Sequence, residues 1–134
     1  MSAICYAFAL FILIWVWSRR KNLSGKDWGL LVLILALYFT HYFFVRYEIE
    51  KIHLVSYSLL AILYQKTLTS YKTSNWTLLL AGLGCALVGT VDEVLQYFIP
   101  RRFFQWSDIY LNAVSGVLGL ALLFILSDKT KKVS

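Results

Sequence analysis

Asp92-Glu93-Val94-Leu95-Gln96 sets two adjacent carboxylates and an amide inside an otherwise apolar stretch. Buried carboxylates near a histidine are raw material for general acid–base chemistry, and equally for gripping hydrogen-bond donors. Helical spacing says which polar residues can converge. Glu50, His53 and Tyr57 are three and four apart and share a face. Gly89, Glu93 and Gln96 form a second stripe, and Asp92 pairs with Gln96 at i+4. Asp108, Asn112, Ser115, Gly116 and Gly119 form a third, whose small residues allow a neighbouring helix to approach closely. Asp92 and Glu93 must point about 100° apart, so they call for different partners. Arg101, Arg102 and His53 are the candidates. Pro100-Arg101-Arg102 fits a turn that folds basic side chains back over the carboxylates. The plainer reading is a proline stop with arginines snorkelling to headgroups.

An enzyme would use Glu93 or Asp92 as general base and His53 as its partner on a lipid-linked substrate. The sequence offers no nucleophile motif, metal-ligand spacing or phosphate-cradling loop to go with them. Catalysis is therefore the lesser reading. Cys5 and Cys85 lie in apolar runs without CxxC or Cys/His spacing, so they read as small buried hydrophobes rather than zinc ligands or a disulfide. No metal or cofactor is expected. Haem ligated by His41 and His53 is the disfavoured exception, since both sit at similar depth at the ends of adjacent helices.

What positions these residues is a membrane. Of 134 residues, 60% are hydrophobic and 15% charged, against about half and a quarter in a soluble domain. That excludes an ordinary cytosolic domain and a disordered tail. Spans of about 20 apolar residues fit five times: Ser2 to Trp17, Asp27-Trp28 to Val45, Glu50 to Thr67, Trp76 to Ile99, and Ser107-Asp108 to Leu126. Ser107-Asp108 reads as the N-cap pair of the fifth. The third is the least apolar, and the count falls to four if it is re-entrant. The fold expected is all-α, a polytopic transmembrane bundle forming a single domain over residues 1–134. The first run lacks a preceding basic residue and a small-residue cleavage site, so it reads as a retained helix.

The net charge of +6 reads as orientation rather than nucleic-acid binding. Five crossings put Arg19, Arg20, Lys21, Lys26, Lys66, Lys72, Lys129, Lys131 and Lys132 on one side, and only Arg46, Lys51, Arg101 and Arg102 on the other. Positive-inside then predicts an outside N-terminus and a cytoplasmic C-terminus. Asp92 precedes Ile99 by seven residues, which puts it about 10 Å below the outer end of its helix. A carboxylate at that depth implies a bundle interior or an outward-opening pocket.

The run Asp92-Glu93-Val94-Leu95-Gln96 to Pro100-Arg101-Arg102, then Asp108-Ile109-Tyr110-Leu111-Asn112 and Gly116, resembles the VanZ-like family. That family is marked by Asp-Glu-x-x-Gln, a turn of Pro-Arg or Pro-x-Arg form, then Asp-x-x-x-Asn and a glycine. Lys51-Ile52-His53 through Tyr57 is similar to its other motif, with the histidine one residue closer to the lysine. The resemblance covers residues 46–125. Where members often have Pro-Gly-Arg this chain has Pro100-Arg101-Arg102, so either arginine matches the family's.

The resemblance implies a small bacterial membrane protein of the cell envelope. The name-giving member is associated with low-level resistance to the glycopeptide antibiotic teicoplanin, while most members have no assigned activity. The function expected is an outward-facing polar site near the outer leaflet, affecting glycopeptide susceptibility or envelope lipid handling. Its binding residues would be Glu50, His53, Tyr57, Asp92, Glu93, Gln96, Arg101, Arg102, Asp108 and Asn112. The partners would be the bilayer and a lipid-linked cell-wall precursor, lipid headgroup or lipoglycopeptide, with no nucleic acid. The rivals are a non-catalytic subunit of a larger membrane assembly and an intramembrane enzyme.

Overall fold

Ala3 to Val16 is almost wholly apolar, and in the computed structural model it builds α1 (Ala3–Arg19), which ends as the basic cluster begins. The structure describes residues 3–45, 48–71, 76–99 and 105–127. After α1, Arg20–Asn22 make one 3-10 turn, held by the Arg20 guanidinium lying 3.7 Å over the Trp17 ring. α2 (Gly25–Phe44) starts at a capping box. Asp27 N–H bonds to Ser24 Oγ at 3.3 Å, and Ser24 N–H bonds back to Asp27 Oδ2 at 3.0 Å. Two orphan donors of the first turn are satisfied reciprocally, which moves the helix start ahead of the expected Asp27-Trp28.

α3 (Glu48–Tyr71) is one continuous helix of 24 residues. At 1.5 Å per residue it is about 36 Å long, more than the hydrocarbon thickness of about 30 Å. α4 (Trp76–Tyr97) and α5 (Trp106–Leu126) complete the bundle. All elements among the described residues are helical, five α-helices and no strand. The all-α bundle is thus observed. On length and composition α2, α4 and α5 can each cross a membrane. α1 has 17 residues and α3 is more polar.

α5 is the axis of the bundle. Of its 18-residue span window 61% is buried, against 22% for α2 and for α4. α3 packs most extensively on α5, with α4 against both. The small residues of α5 permit this. A Cβ added to Gly119 would come 2.8 Å from Ser58 Cα, so the α3 backbone lies directly on that glycine. Leu31, Leu54, Leu118, Leu122 and Leu126 fill one core, while Ala61, Ala81, Cys85 and Leu120 fill the other. Leu33, Leu79, Leu83, Leu87 and Phe124 stand exposed. Such an apolar exterior suits lipid, not water.

Candidate functional site

The polar stripes meet where α4 ends and α5 begins. Tyr57 of α3 donates its hydroxyl to Asp92 Oδ2 at 3.2 Å, and Gln96 donates its side-chain N–H to the same oxygen at 3.0 Å. The i+4 pairing of Asp92 with Gln96 is therefore made, and Tyr57 adds a link between helices. Glu93 points elsewhere, as neighbouring helical residues must. It is 1% exposed, its Oε1 accepts the backbone N–H of Gln105 at 2.7 Å, and its Oε2 has no hydrogen-bond partner among the described residues. Buried polar atoms are almost always paired, so an unpartnered carboxylate oxygen requires an explanation.

His53 meets α5 rather than a carboxylate. Its Nδ1 lies 3.2 Å from Asn112 Oδ1, and with the proton on Nδ1 the histidine is the donor. Tyr57 flanks it at 5.7 Å between ring centroids. Asn112 is also 1% exposed, and its Nδ2 has no partner among the described residues. Gly89 explains why Asn112 intercepts His53. A Cβ there would come 3.0 Å from Asn112 Cβ and 3.2 Å from Tyr57 Cε1, so the missing side chain lets Asn112 settle between α3 and α4. The expected pairing of His53 with a carboxylate is thus replaced by two separate links, Tyr57 to Asp92 and His53 to Asn112.

Asp108 is buried in the first turn of α5, where its charge complements the helix dipole. Ser107 and Asp108 are not the N-cap. Gln105 takes that position, and its carbonyl accepts the Asp108 N–H at 3.1 Å. The Gln105 N–H is spent on Glu93, which fixes the helix start two residues earlier than side-chain preference alone suggests. Glu50 lies half-buried near the start of α3. Arg101 and Arg102, proposed as counter-charges, lie outside the described residues, as does Pro100. His41 bonds through Nδ1 to the Leu37 carbonyl at 3.1 Å and stacks on Tyr110. The two histidines thus have different neighbours. Among the described residues no three His, Cys, Asp or Glu side chains are grouped so as to hold a metal.

The VanZ/LLP1 family model matches residues 3–127. The chain belongs to the VanZ/LLP1 family. No curated protein and no solved structure matches it. The family match takes in α1 and α2, beyond the 46–125 stretch whose motif residues carry the resemblance.

Three features of this VanZ/LLP1 bundle escape motif reading. Tyr38 of α2 donates to Ser58 Oγ at 2.7 Å, and Ser58 Oγ in turn lies 2.8 Å from the Ser115 carbonyl. That fully buried chain joins α2, α3 and α5 one turn below Asn112. A serine within α3, one of three there, gives no sign of its partner, although Ser115 already stood in the small-residue stripe. Gly89 was visible only as a stripe member, not as the notch it makes. The Gln105 contact is made by backbone and leaves no side-chain signature.

Proposed function

We propose that this VanZ/LLP1 protein binds the polar group of an envelope amphiphile where α4 meets α5, and thereby alters susceptibility to lipophilic glycopeptides. One observation carries the reading: Glu93, buried in an apolar bundle, keeps one oxygen tied to Gln105 and the other unpartnered among the described residues. A buried carboxylate is costly unless paired, so Oε2 is an acceptor waiting for a donor such as an ammonium or hydroxyl group. Asn112 Nδ2, unpartnered too, supplies a donor on the facing helix. Acceptor and donor together suit a ligand that carries both kinds of group.

The same arrangement favours binding over catalysis. His53 is engaged with an amide instead of activating a carboxylate or nucleophile. The basic residues favour an outside N-terminus and a cytoplasmic C-terminus, which turns the Glu93 end outward, toward cell-wall precursors and lipophilic glycopeptides. The test is expression in a susceptible Gram-positive host, with teicoplanin and vancomycin susceptibility measured for the wild type and Asp92→Asn. The reading predicts reduced teicoplanin susceptibility with the wild type and a smaller effect with the variant. No shift with the wild type removes the resistance reading in that host.

A further inference from the structure

Two buried side-chain atoms of opposite character come close at Gly89. Glu93 Oε2 on α4 is an acceptor and Asn112 Nδ2 on α5 a donor, and neither has a partner among the described residues. Both residues are fully buried. A Cβ on Gly89 would come 3.2 Å from Asn112 Nδ2, and Gly89 stands one turn before Glu93 on the same face of α4. Cβ positions one turn apart lie about 5–6 Å from each other, and helical side chains lean toward the N-terminal end of their helix. Glu93 therefore leans toward the level at which Nδ2 sits. Two hydrogen bonds of about 2.8 Å through one shared atom span a gap of this order. The contact with His53 sets the amide: with the proton on His53 Nδ1, Asn112 Oδ1 accepts and Nδ2 is left to donate. Asp92 is already met by Tyr57 and Gln96.

We propose that one hydroxyl of a polyol headgroup bridges these two atoms, accepting from Asn112 Nδ2 and donating to Glu93 Oε2. This rests on the reading of Glu93 as a binding residue and selects the ligand's class, hydroxyl over ammonium. A hydroxyl donates and accepts on a single oxygen, whereas an ammonium only donates. An ammonium at Oε2 would set its hydrogens against those of Nδ2 and leave that buried donor unmet, which is costly. The hydroxyl satisfies both helices at once and joins α4 to α5 beside the Gln105 contact. Water shares this chemistry, and only a headgroup makes retention depend on the lipid.

Native mass spectrometry of the full chain from detergent tests this with two pairs of dipalmitoyl lipids. Phosphatidylglycerol and phosphatidylethanol carry the same charge and differ in hydroxyls. Phosphatidylethanolamine and phosphatidylcholine carry the same charge and differ in N–H donors. The wild type should retain phosphatidylglycerol about tenfold more tightly than phosphatidylethanol, the effect of one charge-assisted hydrogen bond. The ethanolamine and choline forms should agree within about twofold. Glu93→Gln, which puts an amide N–H where Oε2 stood, should erase the hydroxyl preference. Asn112→Asp keeps an acceptor for His53 and turns the free donor into a second acceptor, so the preference should pass to phosphatidylethanolamine over phosphatidylcholine. If that variant fails to fold, Asn112→Leu, of similar size, should lose the hydroxyl preference without gaining the other. A wild type that prefers the ethanolamine form and ignores the hydroxyls overturns the hydroxyl assignment and leaves the Glu93 reading standing. A hydroxyl preference that survives in Glu93→Gln places the hydroxyl elsewhere and overturns the proposal. No preference within either pair, the two atoms then being met by water only, overturns both.

Discussion

The backbone N–H of Gln105 bonds to Glu93 Oε1 at 2.7 Å, tying the residue that caps α5 to the last turns of α4. One carboxylate thereby has two parts in the account. It holds the α4–α5 junction in place with one oxygen, and in the function proposed above it offers the other to a ligand. Structure and binding can be separated by substitution because glutamine keeps a carbonyl acceptor and removes the charge.

Glu93→Gln should remain folded, with a stability loss below about 1.5 kcal/mol, because its amide oxygen can still accept from Gln105. Glu93→Ala should lose about 1–3 kcal/mol, since it leaves the Gln105 N–H without its acceptor. Unfolding in detergent followed by circular dichroism measures both. An alanine variant as stable as the glutamine variant contradicts the structural half of the account.

Gly119→Ala should destabilise the bundle by about 1–3 kcal/mol, because the new methyl group collides with the α3 backbone at Ser58. Gly82→Ala is the matched control. Its Cβ would sit 3.8 Å from Leu120 Cδ1, an ordinary contact. Thermal unfolding of the pair should separate them clearly, with only Gly119→Ala shifted down.

Tyr38→Phe should cost about 0.5–1.5 kcal/mol, the net worth of one neutral hydrogen bond. The loss comes from the buried link to Ser58, which joins α2 to α3. Ser58→Ala should cost a similar amount, and the double variant should fall short of the sum because both remove the same bond. Additive losses would show that the two hydroxyls act independently.

The fold was largely legible because the bilayer is a strict ruler. Apolar runs located the five helices, although α3 extends from Glu48 to Tyr71, beyond the expected Glu50 to Thr67, and two helix starts moved where a cap competed. Ser24 with Asp27 drew the start of α2 forward, and Gln105 displaced Ser107-Asp108 from the cap of α5. Faces within a helix were also readable, as Asp92 with Gln96 illustrates. Which helix a face meets was not. Spacing put His53 and both carboxylates at one depth, yet it could not reveal that the bare backbone at Gly89 admits Asn112 between them. Intrahelical period is encoded locally, whereas interhelical contact depends on rotations and small-residue notches that emerge only on packing.

The distribution of basic residues predicts orientation. A fluorescent reporter fused after Ser134 should fold and fluoresce in the cytoplasm, while an alkaline phosphatase fusion at the same point should be inactive. The reverse pattern would turn the Glu93 end inward and remove its access to the outer leaflet.

The most direct measurement of the central claim is teicoplanin susceptibility in a Gram-positive host expressing either the wild type or Glu93→Gln at equal membrane levels. The account predicts that the wild type raises the inhibitory concentration and that the folded glutamine variant does not. Equal protection by both would show that the free carboxylate oxygen of Glu93 has no part in the function, and would contradict the account.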